Sequence, residues 1–129
     1  MKFKAGQSWS YRSPEGFETS RIVIGAIATF GGRPAILCCS VSGAPQREPD
    51  GSIVTVDIPF LPIEEAALSA TVTSCDEPPT ASIGEGFAEG LDQWQSDPRG
   101  LSCFTVPFDG YLDRLIAHQM AAIVGTDAA

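Results

Sequence analysis

The chain has 129 residues, 43% of them hydrophobic, and a formal net charge of −8 from 16 acidic and 8 basic side chains. That length suits one domain, 1–129, burying roughly two-thirds of its unfolded surface without metal or disulfide support. The acidic balance repels phosphate backbones and anionic membrane surfaces, which excludes nucleic acid and membrane as expected partners. No apolar run is long enough to span a bilayer, and the opening Met1–Gln7 lacks the apolar core of a signal peptide. The expected location is therefore cytoplasmic.

Gly6 to Arg12 alternates strictly, with Trp9 and Tyr11 on one side and Ser8, Ser10 and Arg12 on the other, as a half-buried strand does. Ser13-Pro14-Glu15-Gly16 has turn chemistry. From Arg21 to Val41 the sequence reads as two strands folded back at Gly31-Gly32, since paired glycines accept the positive φ of a tight hairpin turn. With that hinge, Ile22 pairs with Val41, Val23 with Ser40, Ile24 with Cys39, Ala26 with Leu37 and Ile27 with Ile36. One face then collects Ile22, Ile24, Ala26, Leu37, Cys39 and Val41, and is expected to lie on the main core. The other collects Val23, Gly25, Ile27, Ile36, Cys38 and Ser40, and is expected under a helix or a curled sheet.

After a polar loop through Asp50-Gly51, Ile53 to Ile58 is a fourth strand, ended by Pro59 and Pro62. Pro62 also fits the first turn of a helix running to about Val72, with Ile63, Ala67, Leu68 and Ala70 inward, and Cys75 to Thr80 is a loop. Ile83, Phe87, Leu91 and Trp94 recur at helical spacing, but Gly84, Gly86 and Gly90 weaken that helix and predict a short one. Asp97 to Gly100 is a turn and Leu101 to Val106 a fifth strand. Phe108 to about Val124 is a helix with Phe108, Tyr111, Leu112, Leu115, Ile116, Met120 and Ile123 on one stripe, closed by Gly125; the tail 125–129 is expected to fray. Strands that mostly precede helices predict an α+β fold: a strongly curved antiparallel sheet or open barrel of about five strands, packed by a C-terminal helix and one or two shorter ones.

The blocks G-Q-x-W-x-Y-R and P-E-G-F-E-T-S-R, followed by an Ile-rich strand, resemble the opening of a group of small bacterial proteins of unassigned function. Ile58-Pro59-Phe60-Leu61-Pro62-Ile63-Glu64-Glu65-Ala66-Ala67-Leu68 is similar to their I-P-x-x-P-x-x-E-E-A-L segment. Gly90 to Trp94 and Gly100 to Val106 echo their later blocks. The chain departs from them in its Gly-rich central turn and its paired cysteines. The resemblance implies the order of elements and supplies no chemistry.

Cys38, Cys39, Cys75 and Cys103 have no C-x-x-C spacing and no His-rich companion segment, so neither zinc nor a disulfide framework is expected. His118, the only histidine, falls off the apolar stripe of the last helix and has no cysteine at a spacing that suggests a nucleophilic pair. Asp57, Glu64 and Glu65, and separately Glu85, Glu89 and Asp92, could do acid–base work or hold a hard cation, but the plainer reading is a solvated face. Nucleophile-elbow, phosphate-loop, dinucleotide and EF-hand spacings are absent, and no cofactor is expected.

The candidate binding residues are Trp9, Tyr11, Arg12, Glu18 and Arg21 around the first strand, together with Trp94, because aromatic and arginine side chains dominate binding hot spots. The competing reading places Trp9, Tyr11 and Trp94 in the core and makes Arg12, Glu18 and Arg21 a surface ion pair. The expected function is a small acidic protein-binding module without catalysis. The alternatives are a hydrolase or transferase using cysteine or carboxylate chemistry in a pocket over the sheet, and an inhibitor or immunity-type protein with an acidic face.

Overall fold

The computed structural model of the protein describes residues 2–98, 102–108, 111–112, 115–117 and 119–120. Its centre is the glycine hairpin: β2 (Arg21–Phe30) turns at Gly31-Gly32 into β3 (Arg33–Arg47), with Gly32 at φ 76°. β1 (Ser8–Tyr11) precedes the hairpin, and β4 (Ile53–Glu64), helix α1 (Glu65–Thr71), β5 (Val72–Cys75) and helix α2 (Phe87–Gln95) follow it. The five strands form one open sheet in the order β4-β3-β2-β1-β5, antiparallel throughout. The fold is α+β.

The hairpin keeps the sequence-derived register at its base and again at its tip, where Phe30 faces Arg33 across Gly31-Gly32, but not between. Ile22, Val23 and Ile24 face Val41, Ser40 and Cys39; Gly25 is then an extra residue, and beyond it Ala26, Ile27 and Ala28 face Cys38, Leu37 and Ile36. A bulge of this kind shifts the side chains beyond it by one position, here as far as Ala28, after which a second irregularity restores the register. Ile27 therefore joins Ile22, Ile24, Leu37, Cys39 and Val41 on the main core, while Ala26 moves to the second face with Ile36 and Cys38. A Cβ at Gly25 would stand 2.7 Å from Phe87 Cε2 and 2.8 Å from Ile83 Cδ1, so the bulge sits where another segment closes over the sheet.

β4 runs through both prolines that were expected to end it. Pro59 lies in the irregular stretch between the pairs Val41–Ile58 and Cys39–Leu61. At Pro62 the carbonyl accepts the Phe104 N–H (2.9 Å), so this residue's backbone points away from β3 and its missing N–H breaks no rung of the ladder. Helix α1 consequently starts later than the sequence suggested and buries Ala67, Leu68 and Thr71, whereas Ala70 is exposed. Thr71 ends it: Oγ1 donates to the Ala67 carbonyl (2.7 Å) and accepts the Phe108 N–H (2.9 Å).

The fifth strand is not the predicted one. β5 occupies Val72–Cys75, read from sequence as helix end and loop, and pairs with β1. In the Leu101–Val106 stretch, whose first residue lies outside the described ones, Phe104 forms an isolated parallel bridge with Ile63. The expected turn at Asp97–Gly100, the residues beyond Met120 and His118 also fall wholly or partly outside them. Leu112, Leu115–Ala117, Gln119 and Met120 are helical, and the Leu115 N–H donates to the Tyr111 carbonyl (3.2 Å). Phe108 and Leu115 are buried on the main core, but Ile116 and Met120, expected on the same stripe, are exposed.

Two clusters result, one on each side of the sheet. The larger gathers Phe3, Trp9, Tyr11, Leu61, Ile63, Leu68 and Phe108 with the hairpin. The smaller consists of Ile36, Cys38, Phe87 and Trp94, with Phe60 and Leu91 against it. Helix α2 is as short as its glycines predicted and leaves Ile83 outside it, exposed.

Candidate functional site

The alternation of β1 sends its aromatic rings inward. Trp9 and Tyr11 are 8% and 5% exposed. Trp9 meets the Phe3 ring edge-on at 5.3 Å and donates from Nε1 to Gln7 Oε1 (3.1 Å). Tyr11 lies 5.0 Å from the Phe108 ring, and its hydroxyl bonds Ser20 Oγ (2.7 Å), which donates to the Ser42 carbonyl (2.7 Å). Burial raises the Tyr11 pKa, opposed by the Ser20 bond. Trp94 is buried in the smaller cluster and donates from Nε1 to the Ser102 carbonyl (2.6 Å).

The two arginines go to opposite ends of β5. Arg12 Nη2 donates to the Ala70 carbonyl (2.6 Å), just before that strand. Arg21 Nε donates to Asp76 Oδ2 (2.8 Å), just after it, and its Nη1 donates to the carbonyls of Glu18 and Ser20. Glu18 reaches Arg21 only through that carbonyl; its carboxylate accepts the Gly16 N–H (2.7 and 3.1 Å). The ionic partner of Arg21 is thus Asp76, 76 being a position that sequence reading left in a loop. No local signal announces it, because Ser8, Arg21 and Asp76 meet only when β1 is placed between β2 and β5.

Asp76 Oδ2 is a hub. It accepts Thr80 Oγ1 (2.7 Å), Ser8 Oγ (2.8 Å) and Arg21 Nε (2.8 Å), while the Thr80 N–H donates to Ser8 Oγ (3.0 Å). The Thr80 bond, then those from Ser8 and Arg21, hold the carboxyl below its usual range against a partial desolvation. With one oxygen committed to three donors, the group works as a clamp on residues 76–80. From Pro79 and Thr80 onward the segment forms one wall of an open cavity of about 610 Å³, against Gly6 and the β2 residues Val23 and Gly25.

Beyond that wall the chain crosses β3, where the Gly84 N–H donates to Ser40 Oγ (3.1 Å). A smaller cavity of about 270 Å³ lies there, with the carboxylates of Asp57 and Glu85 and the hydroxyls of Ser40, Ser42 and Ser82 in its lining. Asp57 Oδ1 accepts the Gly43 N–H (2.8 Å). Asp57, Ile58 and Pro59 bring β4 into this lining, and nearer the start of the same strand Ile53 and Val54 are 45% and 40% exposed.

The direction of the outer edge of β4 follows from the hydrogen-bond alternation. The Glu48 N–H donates to the Ser52 carbonyl (2.8 Å), so Ser52 faces β3. The ladder continues without a shift from Arg47–Ile53 to Ala44–Val56, and Pro45, which has no N–H, stands opposite Thr55. Alternate residues of an antiparallel strand turn their N–H and C=O to opposite sides. Ile53 and Thr55 therefore direct both groups outward.

No protein-family model, curated protein or solved structure matches this chain.

The thiols are poorly suited to nucleophilic work. Burial, with Cys103 nearby, pushes Cys38 up to about 11; burial raises Cys39 strongly, and Cys75 and Cys103 are also raised. All four remain protonated thiols near neutral pH. Cys38 and Cys39 lie on opposite faces, as the strand reading required. Cys38 pairs with Pro62, and the bridge of Ile63 to Phe104 brings Cys103 to the far side of that proline. Both are free thiols packed at the smaller cluster, Cys38 buried and Cys103 half-exposed. Among the described residues no group of three His, Cys, Asp or Glu could hold a metal ion, and no helix is long and apolar enough to cross a membrane. Glu85, Glu89 and Asp92 are exposed.

Proposed function

We propose that this chain is a small acidic binding module, without catalysis of its own, that receives a segment of another protein along the outer edge of β4. The observation that carries this reading is the run Ile53–Asp57, whose outer side has no strand partner among the described residues. Its outward N–H and C=O groups sit beside exposed apolar side chains. Natural sheets blunt such edges with lysine, proline, a bulge or a covering segment; this run contains neither Lys nor Pro and is regular from Ile53 to Val56. An added strand satisfies an edge of this kind directly. The Trp9, Tyr11, Arg12, Glu18 and Arg21 cluster then serves by fixing β1, β5 and the 76–80 segment.

The scaffold proposed for this role is a strongly curved sheet packed by a helix beginning near Phe108. Its support is that α1, whose seven residues rise only about 10 Å, joins strands at opposite ends of the sheet order. A cytoplasmic setting and kinship with the small bacterial proteins that open G-Q-x-W-x-Y-R complete the proposal.

Immobilised protein exposed to a cell lysate tests it. Wild type should capture a distinct protein, and Thr55→Pro, which removes an outward N–H, should not. Capture of nothing, or equal capture by both, overturns the reading.

A further inference from the structure

We propose that the segment received at β4 is an extended basic peptide whose Lys or Arg side chain enters the cavity between Asp57 and Glu85. This rests on the edge-binding reading above and names the chemistry of the partner.

Ile53, Thr55 and Asp57 lie on one face of β4, since residues two apart in a strand share a face. In a strand added outside β4, every second side chain falls on that same face. The one opposite Asp57 comes to the mouth of the 270 Å³ cavity, with Glu85 on its far wall and the hydroxyls of Ser40, Ser42 and Ser82 as further acceptors. Asp57 is held in place by its bond from the Gly43 N–H (2.8 Å). The arginine of the same ribbon, Arg47, is placed over the Tyr111 ring at 5.0 Å. Two carboxylates lining one cavity, on a chain of net charge −8, attract a cation and steer its approach. A second copy of this chain fits worse. It would bring Glu48, Asp50 and Asp57 of both edges along one seam, where like charges oppose association.

The probe is a blocked peptide of alternating valine and lysine, with a valine–glutamate peptide as control. Binding is followed by titration calorimetry and amide shift mapping between about 0.05 and 0.3 M salt. The lysine peptide should saturate, perturb amides of residues 53–57, and weaken as salt rises; the glutamate peptide should not bind. Thr55→Pro should weaken binding at least tenfold, roughly the loss of one well-made hydrogen bond. Asp57→Asn with Glu85→Gln keeps the acceptor for Gly43 and should flatten the salt dependence. Should Thr55→Pro melt outside the wild-type range, Ile53→Lys serves as the same test by charge repulsion.

No saturation by about 1 mM peptide, equal binding of the glutamate peptide, equal binding by the edge variants, or self-association of wild type through β4 overturns the proposal. If lysate capture still depends on Thr55 in that event, only the basic class is wrong. If capture is also independent of Thr55, the edge reading falls with it.

Discussion

At Gly25 the chain needs the absence of a side chain for packing rather than for a backbone angle. The Phe87 ring and Ile83 occupy the space a Cβ would take, and Phe87 is itself 7% exposed, with little freedom to retreat. Gly25→Ala should therefore destabilise by about 1–3 kcal/mol, as overpacking does. A lowered urea midpoint at unchanged slope would register it, and an unchanged midpoint would show that Phe87 moves aside freely. Asp76 presents the opposite case, a side chain whose charge is wanted. Its carboxyl is depressed by Thr80, Ser8 and Arg21. The stabilisation is therefore full above the ordinary carboxylate value of about 4 and is lost as pH falls through the lower folded value. Asp76→Asn should be less stable than wild type at pH 7 by about 1 kcal/mol, given that the site is partly solvated. The difference should close in acid. A difference that persists unchanged to below about pH 2 would mean that the charge contributes nothing. Neither residue's role could be read from its neighbours in sequence: Gly25 looked like any glycine in a strand, and Asp76 like a loop acid, because the partners of each lie far along the chain.

Among the elements, β4 makes the sharpest statement about direction. Val54 turns its N–H toward β3 and Thr55 turns its own outward. Val54→Pro should remove a ladder bond and cost about 3 kcal/mol or more, while Thr55→Pro should leave the melting temperature close to wild type. Equal losses at both positions would mean that the outer edge is paired after all. The same reasoning explains why two prolines failed as stop signals: a proline ends a central strand, but on an edge its nitrogen can face away from the neighbour. Sequence alone does not say which strand is the edge. It does predict the hairpin, because β-branched runs around a glycine pair constrain their own local geometry, and for similar reasons it places a helix over Ile83–Trp94, which forms from Phe87 onward. It misses β5, whose four residues acquire a strand conformation from β1 rather than from any propensity of Val-Thr-Ser-Cys.

For the whole molecule, two clusters on either side of one sheet decide what solvent can reach. Trp9 and Trp94 are each 8% exposed, one in each cluster. Acrylamide should quench native fluorescence only weakly, with a several-fold rise on unfolding; strong native quenching would contradict the burial of at least one of them. Cys38 and Cys39 are buried and Cys75 and Cys103 half-exposed. A thiol reagent near neutral pH should therefore modify the latter two slowly, reaching the hairpin pair only in denaturant. Rapid modification of Cys38 in the folded state would reopen cysteine chemistry.

From its sequence this protein is already an acidic α+β chain with a glycine-hinged hairpin, Trp9 and Tyr11 on one side of the first strand, and a short, glycine-weakened helix. Those features depend on periodicity and charge, which are written within a few residues of where they act. The tertiary structure alone decided that Gly25 shifts the hairpin faces, that Arg21 answers to Asp76, and that the outer side of β4 at Ile53–Asp57 has no partner among the described residues. Each of these depends on which distant strand lies alongside, and a one-residue bulge or a change of neighbour reverses what a side chain meets.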